Sequence, residues 1–94
     1  MEHFVYILYS AKLNRFYTGY TADIDRRLVY HKDAVADNFT YRANDWVLEF
    51  TIHCVSKSQA LAIERHIKKM KSKGYIQNIM KYPEIVLKLK ERYS

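Results

Sequence analysis

The chain has 94 residues, is 49% apolar and carries a formal net charge of +6, which describes one domain with a single modest core and excludes a wholly disordered polypeptide. Its longest apolar run, Phe4 to Tyr9, is far too short to span a bilayer, and no basic-then-apolar leader precedes it. Cys54 is alone, so neither a disulfide framework nor a cysteine zinc site can be built within the chain, and a cytoplasmic, reducing home is expected.

Residues His3 to Ser10 place bulky groups on both faces, the pattern of a central strand covered on both sides. Ser10 to Asn14 is polar enough to turn the chain, and Arg15 to Tyr20 reads as a second, antiparallel strand. Thr21 or Asp23 can cap the helix that follows, with Asp23 and Asp25 near its positive end. That helix should run to about Lys32, and Asp33 to Asn44 looks like a polar loop. Trp46, Leu48, Phe50, Ile52 and Cys54 then alternate with Val47, Glu49, Thr51, His53 and Val55, as in a strand with one apolar face.

Ser56 to Gln59 has the form of a capping box opening a helix whose buried stripe would be Ala60, Ile63, Ile67 and Met70. Gly74 can end that helix in a left-handed turn. A short helix from Tyr75 to Lys81 follows, then Pro83 as first residue of a last helix carrying Ile85, Val86 and Leu89. There is no repeat or linker, so residues 1–94 read as one domain. The predicted fold is α/β (α+β): a small three-stranded antiparallel sheet flanked by helices, in the order β-β-α-β-α-α-α.

Charge points to an anionic partner. From Glu64 to the end there are nine Lys or Arg against three acids. Arg65, Lys68, Lys69, Lys71 and Lys73 form a stripe able to displace phosphate counterions, although a solvated helix face has the same composition. On the first helix Ile24 and Leu28 mark the core side, and a turn of about 100° per residue sets Arg27 and His31 together on its border. Glu64 holds the same border position on its own helix. Singly, each has an ordinary explanation in packing or solvation. Together they suit phosphodiester cleavage: a carboxylate for a hard divalent cation, an arginine for phosphate, and a tyrosine or histidine for the attacking water.

Phe4-Val5-Tyr6, Tyr17-Thr18-Gly19, Arg27, His31 and Glu64 together resemble the GIY-YIG nuclease domain. The resemblance covers roughly Phe4 to Lys73, leaving 74–94 as a C-terminal helical extension. In that family the two motifs lie on paired strands, the catalytic arginine falls ten residues after the second-motif tyrosine, some members carry a histidine one turn later, and a downstream helix supplies a metal-binding glutamate. Phe4 replaces the first-motif glycine, as in the small stand-alone branch, which is similar to the nuclease module of bacterial excision repair without its partner domains. The family's downstream asparagine has no secure match, Asn78 being the candidate.

The resemblance implies a Mg²⁺- or Mn²⁺-dependent endonuclease acting on DNA, in repair or processing. Glu64 would hold the metal, Arg27 would stabilise phosphate charge, and Tyr17 or Tyr6 would position the nucleophilic water with help from His31. Lys68, Lys69, Lys71 and Lys73 would lead the nucleic acid in, and a protein partner would supply specificity. The alternative is a catalytically silent nucleic-acid-binding module of the same fold.

Overall fold

A computed structural model describes residues 2–27 and 45–94. The elements follow the expected order: β1 (His3–Ser10), β2 (Arg15–Thr21), helical backbone over residues 24–27 (α1), β3 (Val47–Cys54), α2 (Lys57–Met70), α3 (Lys73–Lys81) and α4 (Pro83–Arg92). The expected end of α1 and the polar loop from Asp33 to Asn44 lie outside the described residues. No helix among the described residues is long and apolar enough to cross a membrane.

The sheet is antiparallel with strand order β2-β1-β3. β1 is central, and Val5, Tyr6, Ile7 and Leu8 are all buried, which is why its sequence is apolar on both faces. Strand alternation separates those faces. Val5 belongs to a core with Ile52 and Cys54 of β3, Ala60, Ile63 and Ile67 of α2, Ile79 of α3 and Leu89 of α4. Tyr6 and Leu8 belong to a second cluster with Trp46, against which Tyr17 and Ile24 pack. The helices α2 to α4 therefore cover one face of the sheet, and α1 opens against the other.

The expected single apolar face of β3 is broken. Ile7 pairs with Phe50 but Leu8 pairs with Leu48, so Glu49 is an extra residue on β3 and the alternation inverts there. Phe50, Ile52 and Cys54 stay with the helix-side core, Trp46 crosses to the Tyr6 cluster, and Leu48 is left partly exposed.

Local hydrogen bonds account for the chain's turns. Asn14 takes the left-handed conformation (φ 53°) that asparagine tolerates. Asp45 braces this turn by accepting from Ser10 Oγ at 2.6 Å and from the Lys12 N–H at 2.8 Å. These two bonds hold its carboxyl below the usual value, the Ser10 bond most strongly. Of the two candidate caps of α1, Asp23 serves: its Oδ1 accepts from the Arg26 N–H, while Thr21 Oγ1 accepts from the Asp23 N–H.

Four helix details differ from expectation. Ser56 Oγ caps Gln59, but Gln59 Oε1 accepts from the Val55 N–H instead of closing the box on Ser56, and its Nε2 donates to the Lys90 carbonyl, tying α2 to α4. The left-handed residue ending α2 is Lys71 (φ 48°), not Gly74, which lies inside α3. Ile67 is the last residue of α2 in the core, and Met70, at the end of the helix, is exposed instead of buried. Ser72 then caps α3 at once, starting it two residues before the expected Tyr75.

Candidate active site

Tyr6 and Tyr17 sit on the same face of the paired strands β1 and β2, because Tyr6 lies opposite Gly19 and Leu8 opposite Tyr17. Their ring centroids are 6.3 Å apart. Gly19 makes this arrangement possible. A Cβ at Gly19 would overlap Oη and Cζ of Tyr6 and come to 2.9 Å of its Cε1. The glycine's φ is not positive, so space for the Tyr6 ring, and not backbone freedom, dictates the residue.

The two tyrosines differ in access. Tyr6, on the central strand, is 3% exposed. Tyr17, on the edge strand, is half-buried, with Trp46 edge-on at 6.3 Å. Trp46 is the neighbour that sequence reasoning missed. Strand alternation assigned it to the opposite face, and only the bulge at Glu49 brings it here.

From the other side of the sheet α2 brings Glu64. It follows buried Ile63 by one residue, so it lies on the flank of the helix, and its side chain is 18% exposed. Lys68, one turn later, places Nζ 3.1 Å from Glu64 Oε2. The same Nζ stands 5.3 Å from the Tyr17 ring centroid, within the range of a cation–π contact. Glu64, Lys68 and Tyr17 therefore meet at the sheet's edge, beside β2.

Arg27 is half-buried on α1, and its backbone N–H donates to the Asp23 carbonyl at 3.1 Å. The helix it belongs to starts on the Tyr6 face through Ile24, whereas Glu64 comes from the helix-covered face. The two residues thus stand on helices that pack against opposite faces of the sheet. His31 lies outside the described residues. Asn78 is exposed on α3, where its carbonyl accepts from the Tyr82 N–H at 2.8 Å, a helix-end role.

A groove of about 580 Å³ runs between β2 and the α2–α3 junction. Arg15, Lys68, Lys71 and Lys73 line it with Asn14 and Tyr17, and among the described residues no acidic one does. The Lys73 ammonium reaches across it to Asn14 Oδ1. The expected basic stripe is therefore split. Lys69, about 100° beyond Lys68 on the helix, turns to a separate hollow with Arg65, His66 and Arg92. His66 bonds Tyr93 Oη at 2.9 Å there, and burial, with help from Arg92 and Lys69, pushes its pKa down.

Comparison with known proteins bears on the family and the fold. The family model described as the GIY-YIG catalytic domain matches residues 2–80. The chain belongs to the GIY-YIG family. It is 37% identical over 68 residues to UPF0213 protein BH0048 of Halalkalibacterium halodurans, covering 72% of this chain and 71% of that one. It is 34% identical over 67 residues to UPF0213 protein SH2523 of Staphylococcus haemolyticus, covering 71% and 80%. The solution NMR structure of BH0048 from Bacillus halodurans superposes with a TM-score of 0.55 at 31% identity, covering 86% of this chain and 84% of that one. The GIY-YIG match carries a nuclease-type fold; the relatives' names state no activity.

Proposed function

We propose that this protein is a metal-dependent endonuclease that hydrolyses DNA phosphodiester bonds, working in the cytoplasm in repair or processing. The observation that carries the reading is the meeting of Glu64, Lys68 and Tyr17 beside a groove lined by Arg15, Lys71 and Lys73.

Among the described residues no three His, Cys, Asp or Glu gather as a metal cage. That suits Mg²⁺ or Mn²⁺, which commonly takes one or two carboxylates and completes its shell with water and substrate phosphate. Glu64 is the carboxylate that fits. A divalent cation held there would supply positive charge to the phosphate as its bonds change.

The remaining work falls to the chain's own groups. In this reading the Arg27 guanidinium reaches over β2, pairs with phosphate oxygens and stabilises the charge that develops on them. Tyr17 Oη orients the attacking water and accepts its proton while passing the phenol proton on to His31, so that the tyrosine stays neutral overall. Its place on an exposed edge favours Tyr17 over Tyr6 for this role; the buried Tyr6 ring forms the wall behind it. Lys71, Lys73 and Arg15 hold the nucleic-acid backbone in the groove, and a protein partner would add specificity that so small a domain lacks.

The test is cleavage of labelled single-stranded, duplex, flapped and branched DNA with Mg²⁺, Mn²⁺ or a chelator. Cleavage should require the metal and be abolished in Glu64→Gln, while that variant binds DNA as the parent does. Metal-dependent cutting that survives Glu64→Gln would remove Glu64 from the mechanism. A second reading, a DNA-binding module that does not cut, is favoured by one contact: the Lys68 ammonium already neutralises the Glu64 carboxylate. DNA binding without cleavage in either metal selects it.

A further inference from the structure

Lys68 holds a position that an ordinary surface lysine does not. Its Nζ is shared between the carboxylate of Glu64 and the ring of Tyr17, at 3.1 Å and 5.3 Å respectively. The Glu64 side chain is only 18% exposed while that of Lys68 is 49% exposed, so a mostly buried carboxylate is paired with a more solvent-exposed ammonium. The spacing of four residues, with the acid nearer the helix N-terminus, is the favourable order for such a pair. The helix itself therefore presents a cation to Glu64.

We propose that Lys68 is a built-in counter-ion that a divalent cation must displace from Glu64, so that the lysine pairing and metal binding are mutually exclusive. The inference rests on the reading of Glu64 as the metal carboxylate. An ammonium and a divalent cation compete for the same oxygens and repel each other at this range. The pair keeps a poorly hydrated carboxylate neutralised while no metal is bound, and it lowers the apparent metal affinity by the free energy of breaking it. A partly exposed pair of this kind is worth about a two- to fivefold change in a binding constant.

Mn²⁺ binding to the free protein, without DNA, tests this by the electron paramagnetic resonance signal of unbound Mn²⁺. Lys68→Met keeps the aliphatic stem and removes the charge. Arg65→Met removes a neighbouring charge that makes no ion pair with Glu64 and so measures the general field. Each variant is first shown to unfold cooperatively, as the parent does. Lys68→Met should bind Mn²⁺ about two- to fivefold more tightly than the parent, Arg65→Met should shift by less than about 1.5-fold, and Glu64→Gln should lose the site. If Glu64→Gln loses the site but Lys68→Met shifts no more than Arg65→Met, the counter-ion proposal is overturned while Glu64 stands as metal ligand. Mn²⁺ binding that is alike in all four proteins, or absent in all, overturns both.

Discussion

Replacing Gly19 by alanine puts one methyl group where the Tyr6 ring now lies. The ring cannot give way cheaply. It is 3% exposed, shares a cluster with Leu8 and Trp46, and has Tyr17 and Ile24 packed against that cluster. Overpacking of this kind costs about 1–3 kcal/mol. With three Tyr6 atoms inside 3.0 Å of the new methyl the cost falls in the upper part of that range, about 2–3 kcal/mol; alanine recovers about 0.5–1 kcal/mol relative to glycine within a strand, leaving a net loss of about 1–2.5 kcal/mol. For a domain of this size that corresponds to a fall in Tm of about 5–15 °C. Thermal unfolding followed by circular dichroism measures it directly. Gly74→Ala is the control, because the nearest atom to a Cβ there is Ser72 Oγ at 3.8 Å, an ordinary contact; it should be neutral or stabilising by up to about 1 kcal/mol. Tyr6→Phe removes the atom nearest the new methyl, so the double variant should lose less than the sum of the two singles. A Gly19→Ala protein as stable as its parent, or strict additivity in the pair, would refute the claim that Gly19 exists to seat Tyr6.

Arg27→Lys should impair cleavage severely although it keeps the charge, since an ammonium cannot reproduce the planar two-pronged grip on phosphate; single-turnover rates near those of the parent would reduce Arg27 to bulk potential. Replacing Lys71 and Lys73 by glutamine should weaken DNA binding equally for unrelated sequences and flatten the log–log salt dependence by up to roughly two units. Lys69→Gln, on the other hollow, should leave that slope unchanged, and equal slopes for the two sets would dissociate the groove from binding. Asp45 has a folded pKa depressed below its ordinary value by Ser10 and Lys12, so it contributes stability above the unfolded carboxylate range and loses it as pH falls through the folded value. Asp45→Asn should therefore be less stable than the parent near neutral pH, with the gap closing below about pH 4; a gap independent of pH would mean that the bonds are equally good to a neutral group.

Where the sequence was legible, a local period or a local cap carried the information. β1 runs over the residues its doubly apolar pattern marks, and Pro83 opens α4 as a first-turn proline should. What escaped was set by relations between distant segments. Nothing in the alternation from Trp46 to Cys54 announces the extra residue at Glu49, because a bulge is a mismatch between two strands and not a property of either. Gly74 was the natural end for α2, yet Lys71 accepts the left-handed conformation because Ser72 is placed to cap the next helix. The site shows the same division. Glu64 and Arg27 could be put on helix borders from their spacing, but periodicity holds no record of which sheet face each helix covers. Lys68 read as one member of a basic stripe; that it turns back onto Glu64 and Tyr17 depends on α2 lying alongside β2.

The location of the proposed site follows from that packing. With α1 on the Tyr6 face and α2 on the opposite one, two helices can contribute to one reaction only where the sheet ends between them. A tyrosine on the central strand is walled in by neighbours on both sides, as the burial of Tyr6 shows. A tyrosine on the edge strand is open to a long substrate while its ring still rests on Trp46 and under Lys68. The short hairpin serves that purpose: it turns from the centre of the sheet to its edge between Ser10 and Arg15 and carries Tyr17 and Gly19 with it. In the proposed reaction the scissile phosphate would lie along β2, with Glu64 on one side and Arg27 on the other. Lys68, Lys71 and Lys73 line the groove from the α2–α3 side, where Glu64 lies, so the nucleic-acid backbone would enter past Lys73 and Lys71 before it reached Tyr17.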